Sequence, residues 1–104
     1  MYVDKLILES SGLFTEEDLF VYRISIARYK FQTKRTITKI DPATNITKIL
    51  TEIDLEELQN YLKKQIERAK QNPRMKRRRL EKFLENLQKL KNQNENENVK
   101  CLKA

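Results

Sequence analysis

The sequence predicts an α+β fold: a small antiparallel β-sheet of three to four strands, then a two-helix antiparallel hairpin and a disordered C-terminal tail. Three observations lead there. Short segments rich in β-branched residues fill the first half, on either side of a proline turn. Two long stretches with apolar residues three and four apart fill the second half. Residues 92–104, with Asn-Gln-Asn-Glu-Asn-Glu-Asn, are polar and repetitive. The 104 residues are read as a single domain over 1–91, with a modest reserve of buried surface. Apolar residues make up 38% and charged residues 36%, so the expected core is thin and much helix surface is solvated.

Taken in order, Val3–Glu9 reads as a short first strand. Residues 10–18 read as a connection punctuated by Gly12, with Thr15-Glu-Glu-Asp18 matching a capping box. Over 19–31, Phe20, Tyr22, Ile24 and Ile26 alternate with period two, and Val21, Ile24 and Ile26 are β-branched. That favours a strand, with a short helix from the capping box as the alternative. Thr36–Ile40 and Ile46–Leu50 flank Asp41-Pro-Ala-Thr-Asn45, which predicts a β-hairpin with a five-residue loop. Its apolar residues fall on both faces, which suits a bulge or a sheet covered on both sides. The strands thus lie within about 3–51.

Helices are expected over 55–71 and 73–91. Asp54 is a natural N-cap, Glu57 sits at the capping-box position, and Ile53 and Leu58 match a hydrophobic staple. Leu55, Leu58, Leu62, Ile66 and Ala69 form a narrow stripe that permits a homodimer without requiring one. Asn72-Pro73 ends this helix and starts the next, with Asn72 as N-cap and Pro73 in the first helical position. Leu80, Phe83, Leu84, Leu87 and Leu90 make the second apolar face, and so short a connection favours antiparallel neighbours.

The charge is unevenly spread. The chain carries 22 Lys and Arg against 15 Asp and Glu. Residues 1–54 are balanced, whereas 73–91 hold Arg74, Lys76, Arg77, Arg78, Arg79, Lys82, Lys89 and Lys91 against Glu81 and Glu85 alone. A concentrated charge of this kind points to a polyanion, either nucleic acid of unspecified type or an acidic protein surface. The arginines from 74 to 79 point all round a helix whose apolar stripe starts only at Leu80. Cations at a helix N-terminus are each unfavourable by about 0.3–1 kcal/mol. An incoming phosphate would meet free N–H groups, the helix dipole and several guanidinium forks together. The expected site is therefore Arg68, Lys70, Arg74, Lys76, Arg77, Arg78, Arg79 and Lys82. Lys76-Arg-Arg-Arg79 also fits a nuclear-import pattern, and a basic amphipathic helix suits anionic lipid. The leucine face is more simply used in packing on the first helix.

Arg28, Tyr29, Lys30 and Phe31, followed by Lys34 and Arg35, interleave basic and aromatic residues. On a strand this gives a possible stacking platform beside phosphate contacts. The simpler reading is core aromatics with the basic residues turned outward.

Strand Ile46–Leu50, the helix from Leu55 and the Asn72-Pro73 turn resemble, in element order over 46–91, the ribbon-helix-helix repressors. There a strand of a dimer enters the major groove and the second helix's N-terminus holds a phosphate. The chain departs from them in its upstream strands, its long first helix and its inter-helix turn.

Catalytic chemistry is sparse. The chain has no histidine, one cysteine and one glycine, which removes the commonest general base, a zinc site and a P-loop. Glu52 with Asp54, or Glu16, Glu17 and Asp18, could pair on Mg²⁺, but capping accounts better for Asp54 and Asp18. Cys101 has no fixed base beside it. No enzyme activity, metal or cofactor is expected. A lone cysteine fits a reducing compartment, and no apolar run is long enough to span a bilayer, so a cytoplasmic location is expected. Heavy use of Lys, Asn and Ile accompanies AT-rich genomes, including those of phages and other mobile elements. An inhibitor, adaptor or accessory subunit is the alternative to a nucleic-acid-binding protein.

Overall fold

The computed structural model describes residues 1–71 and 77–103, with side chains as far as Asn94. Its elements are β1 (Tyr2–Val3), α1 (Lys5–Ser11), α2 (Glu16–Arg28), β2 (Arg35–Ile40), β3 (Thr47–Asp54), α3 (Leu55–Gln71) and α4 (Arg77–Lys103). The strands form one antiparallel sheet in the order β1-β3-β2. The α+β class, the three-stranded sheet and the C-terminal helix pair are those expected. Asn72, Pro73, Arg74, Met75 and Lys76, and with them the expected Asn72-Pro73 cap, lie outside the described residues.

The N-terminal third corrects two expectations. Val3 is strand, but the chain turns helical at once, because Asp4 caps α1: its Oδ1 accepts from the Ile7 N–H at 3.0 Å. A continuous run such as Leu6-Ile7-Leu8 fits helix or strand equally well. Gly12 then ends α1 with φ of 72°, a left-handed cap that glycine adopts without steric penalty.

Residues 16–28 are not the favoured strand but the alternative, a helix that starts from the capping box. The Thr15–Asp18 capping box is formed in both directions, Asp18 N–H to Thr15 Oγ1 at 3.2 Å and Thr15 N–H to Asp18 Oδ2 at 3.1 Å. Once nucleated, the helix buries Asp18, Tyr22 and Ser25, a three-and-four spacing that competes with the period-two reading and wins. Buried Tyr22 donates its hydroxyl to the Thr51 carbonyl at 3.1 Å and lies 3.5 Å from that of Val3. Burial, together with the nearby Asp4 and Glu52 carboxylates, holds its pKa well above that of an ordinary phenol.

The hairpin forms as expected, and its register is unbroken from Arg35 opposite Glu52 to Ile40 opposite Thr47, with no bulge. Asp41 organises the turn. Its Oδ1 accepts from Ala43 N–H at 2.9 Å, its Oδ2 meets Lys48 Nζ at 2.8 Å, and Asn45 takes the positive φ of 57°. The hydrogen bond from Lys48 leads the contacts that hold the Asp41 carboxyl below the usual carboxylate range. The apolar residues on both faces are not all covered: Ile40, Ile46 and Ile49 are exposed.

β3 is the central strand. The Leu55 N–H donates to the Met1 carbonyl at 2.8 Å, and that of Asp41 to Ile46 at 2.9 Å. Odd-numbered residues of β3 therefore aim their backbone groups at β1 and even-numbered ones at β2. Paired with β2 from Thr47 to Glu52 and with β1 at Ile53 and Asp54, β3 is not the free ribbon of the repressors it resembles in element order.

Asp54, the last residue of β3, caps α3 only loosely, accepting from Glu56 N–H at 3.3 Å. The expected capping box at Glu57 is not made. Because the Asp54 N–H points to the β2 side, it donates to Thr33 Oγ1 at 2.9 Å. The Glu57 carboxylate instead accepts from the Gln32 N–H, from Thr33 N–H at 3.0 Å and from Thr33 Oγ1 at 2.6 Å. Partial burial pushes the Glu57 carboxyl up, and these three donors outweigh it, so it titrates below the usual range.

Val3, Leu8, Tyr22, Phe31 and Ile53 join Leu55, Leu58 and Leu62 of α3 and Phe83, Leu87 and Leu90 of α4 in one core. Each large side chain contributes roughly 1.5–3 kcal/mol on burial. The helices are antiparallel: Gln59 Nε2 donates to Gln88 Oε1 at 3.1 Å, and Lys91 lies 3.6 Å from Glu56. α4 does not stop at Lys91, since no Gly or Pro follows to break it, and Gln88 Nε2 donates to Asn92 Oδ1 at 3.1 Å. The side chains of residues 95–104, where most of the expected disordered tail falls, lie outside the described residues. No helix among the described residues is long and apolar enough to cross a membrane.

Candidate functional site

The pairing of Glu56 with Lys91 and Gln59 with Gln88 fixes the register of α3 against α4. Carried toward the turn, it brings Arg68 level with Arg79 and Lys70 level with Arg77. Six of the expected site residues, Arg68, Lys70, Arg77, Arg78, Arg79 and Lys82, thus gather at one end of the helix pair. The other two, Arg74 and Lys76, lie outside the described residues. Among the described residues α4 opens with three arginines, and no acid stands among its first four.

Part of this charge is met inside the chain. Arg77 Nε lies 3.2 Å from Glu81, one turn on, and Arg79 Nη2 lies 3.5 Å from Glu17. Lys70 pairs with Glu67 at 3.2 Å. Arg68, Arg78 and Lys82 have no ion-pair partner among the described residues. All three pairs are solvated, and exposed pairs of this kind contribute about 0.2–1 kcal/mol. A phosphate can displace such a carboxylate at small cost.

Glu17 reaches the site through the capping box of α2. The Asp18 carboxylate that closes the box also accepts from Asn86 Nδ2 of α4 at 2.9 Å. The acidic first turn of α2, Glu16, Glu17 and Asp18, therefore lies along α4 beside Arg79, Lys82 and Lys89.

The second group of expected residues is split up, and the stacking strand is corrected: Arg28 ends α2, and 29–34 is a loop. Phe31 is buried in the core. Tyr29 packs edge-on to Phe31, with centroids 4.8 Å apart, and tilted over Tyr61 of α3 at 4.6 Å. Lys34 Nζ donates to the Ile26 carbonyl at 2.9 Å, closing the end of α2. Arg35 pairs with Glu52 and lies over the Tyr2 ring at 4.8 Å. Lys34 and Arg35 thus serve the fold, while Arg28, Tyr29 and Lys30 remain exposed.

Sequence reasoning missed the link between the two groups. Tyr29 and Lys30 share a depression with Tyr61 and Lys64 of α3, and its wall also carries the carboxylates of Asp54, Glu56 and Glu57. Tyr61, Lys64 and Arg68 follow at i, i+3 and i+7, one face of the helix. That spacing is visible in the sequence, but its connection to Tyr29 depends on a loop between distant elements. The result is a track with an exposed aromatic ring at one end and guanidinium groups at the other.

No protein-family model, curated protein or solved structure matches the chain.

Proposed function

We propose that this is a small, non-enzymatic nucleic-acid-binding protein of the cytoplasm that grips phosphates at the joined ends of α3 and α4. Arg68, Lys70, Arg77, Arg78, Arg79 and Lys82, together with Arg74 and Lys76 of the same basic run in the sequence, make the contacts. One observation carries this reading: Arg68, Arg78 and Lys82 have no ion-pair partner among the described residues, beside arginines held only by solvated carboxylates. An unpaired base can stack on the exposed Tyr29 ring while its phosphates stay on the Lys64 and Arg68 side, away from Asp54, Glu56 and Glu57.

Neutralising about four to six phosphates gives a log–log salt slope of roughly −3.5 to −5.5 on duplex DNA. The triple variant Arg77→Glu, Arg78→Glu, Arg79→Glu, titrated by fluorescence anisotropy against duplex and single-stranded oligonucleotides, is expected to lose binding and keep its fold. Affinity and slope equal to those of the unsubstituted chain would remove this end of the molecule from consideration.

A second reading has its own support. The acidic first turn of α2 already lies on the basic face of α4 through Glu17 and Arg79, so an acidic helix start in a larger protein has a template there. An inhibitor, adaptor or accessory subunit docking this way would bind oligonucleotides weakly at low salt. It would instead recover one stoichiometric protein in a nuclease-treated pull-down.

A further inference from the structure

β1 ends after Val3, and the chain leaves the sheet at Asp4 to start α1. The lane beside β3 that β1 would have filled is left without a strand from Thr51 back to Thr47. By the parity set by the Leu55–Met1 hydrogen bond, Ile49 aims both its N–H and its carbonyl into this lane. Thr51 does the same, and its carbonyl takes the Tyr22 hydroxyl. A cleft of about 490 Å³ lies here, between β3 and α2, with an apolar lining that includes Phe20, Ile24 and Ala27. Ile49 is 77% exposed and Phe20 53%, so the chain itself leaves the cleft largely uncovered.

Charge selects the occupant. The lining contains Lys5 and Arg23 and no carboxylate. Lys5 is shared with Glu9 of its own helix at 3.7 Å, whereas Arg23 has no ion-pair partner among the described residues. A second copy would bring the same cations against them. We infer that this cleft binds an extended segment of a partner protein, with alternating apolar and acidic residues, which adds as a strand beside Ile49. Its backbone completes the hydrogen bonds of Ile49, its apolar side chains fall on Phe20 and Ile24, and its carboxylates, on the strand's other face, lie in the field of Lys5 and of the exposed Arg23. This surface is separate from the arginines of α4.

The test uses the full ¹⁵N-labelled chain and a synthetic octapeptide of alternating Val and Asp. Amide shifts are expected at Ile49, Thr51, Phe20 and Ile24. A Val–Lys octapeptide should bind at least about tenfold more weakly, and Arg23→Glu, an exposed change, should weaken the Val–Asp peptide about fivefold or more. N-methylation of alternate peptide amides should abolish binding in one of the two registers. The triple Glu variant of α4 should bind the peptide unchanged. Shifts confined to Arg77–Lys82, equal binding of the acidic and basic peptides, or indifference to N-methylation in both registers would overturn the inference. So would sedimentation showing a dimer that protects the Ile49 amide.

Discussion

The cations of the sheet and those at the end of the helix pair both meet carboxylates, but the carboxylates differ. Lys39 holds Asp4, whose side chain is fully buried, and Arg35 holds Glu52, which is nearly so. Glu81 and Glu17, the partners of Arg77 and Arg79, stay in water. Removing a sheet cation strands a carboxylate in the interior, whereas removing a helix-end cation returns one to solvent. Ion pairing in the first region belongs to folding, and in the second it leaves the cations available to a ligand.

Substitutions on the two sides should separate accordingly. Asp4→Ala removes both the cap of α1 and the anchor of Lys39, and is expected to cost about 3 kcal/mol, read as a lowered urea midpoint. Glu57→Gln, which weakens the hold on Gln32 and Thr33, should cost about 1.5 kcal/mol near neutral pH. Its pH dependence follows from the lowered carboxyl of the folded state. As pH falls, the unfolded chain takes up the proton first. The contribution is therefore complete above the ordinary glutamate range and is lost as pH drops through the lower folded value. Denaturation series should show the gap between the wild type and Glu57→Gln closing in acid. At the other extreme, Glu17→Gln should change stability by less than about 0.5 kcal/mol while raising affinity for oligonucleotides, since it frees Arg79. A large loss of stability there would erase the distinction between the regions.

Legibility in the sequence followed the range of the interactions. The stripes of α3 and α4, the Asp41–Asn45 turn and the Thr15–Asp18 box are local patterns, and each forms where its residues place it. α1 and α2 were hidden because Leu6-Ile7-Leu8 is too short to carry a period, and Phe20 to Ile26 satisfies two periods at once. At the candidate site, the run of arginines is plain in the sequence. Its partial cancellation by Glu17 is not, because that carboxylate arrives from about sixty positions away through the docking of α2 on α4. Glu57 went astray for a similar reason: a local capping rule assigned it to Asp54, and Thr33, reached through the fold, took it.

The Thr33 hydroxyl gives its proton to Glu57 and receives that of the Asp54 amide, so one side chain fastens the entry of the hairpin to the first turn of α3. The polypeptide between residues 33 and 57 is thereby closed into a ring by non-covalent bonds. Breathing motions that lift the two-stranded ribbon must also fray the start of that helix. These elements should exchange their amide hydrogens as one cooperative unit, with slowed exchange in a loop whose outward position would otherwise suggest rapid exchange.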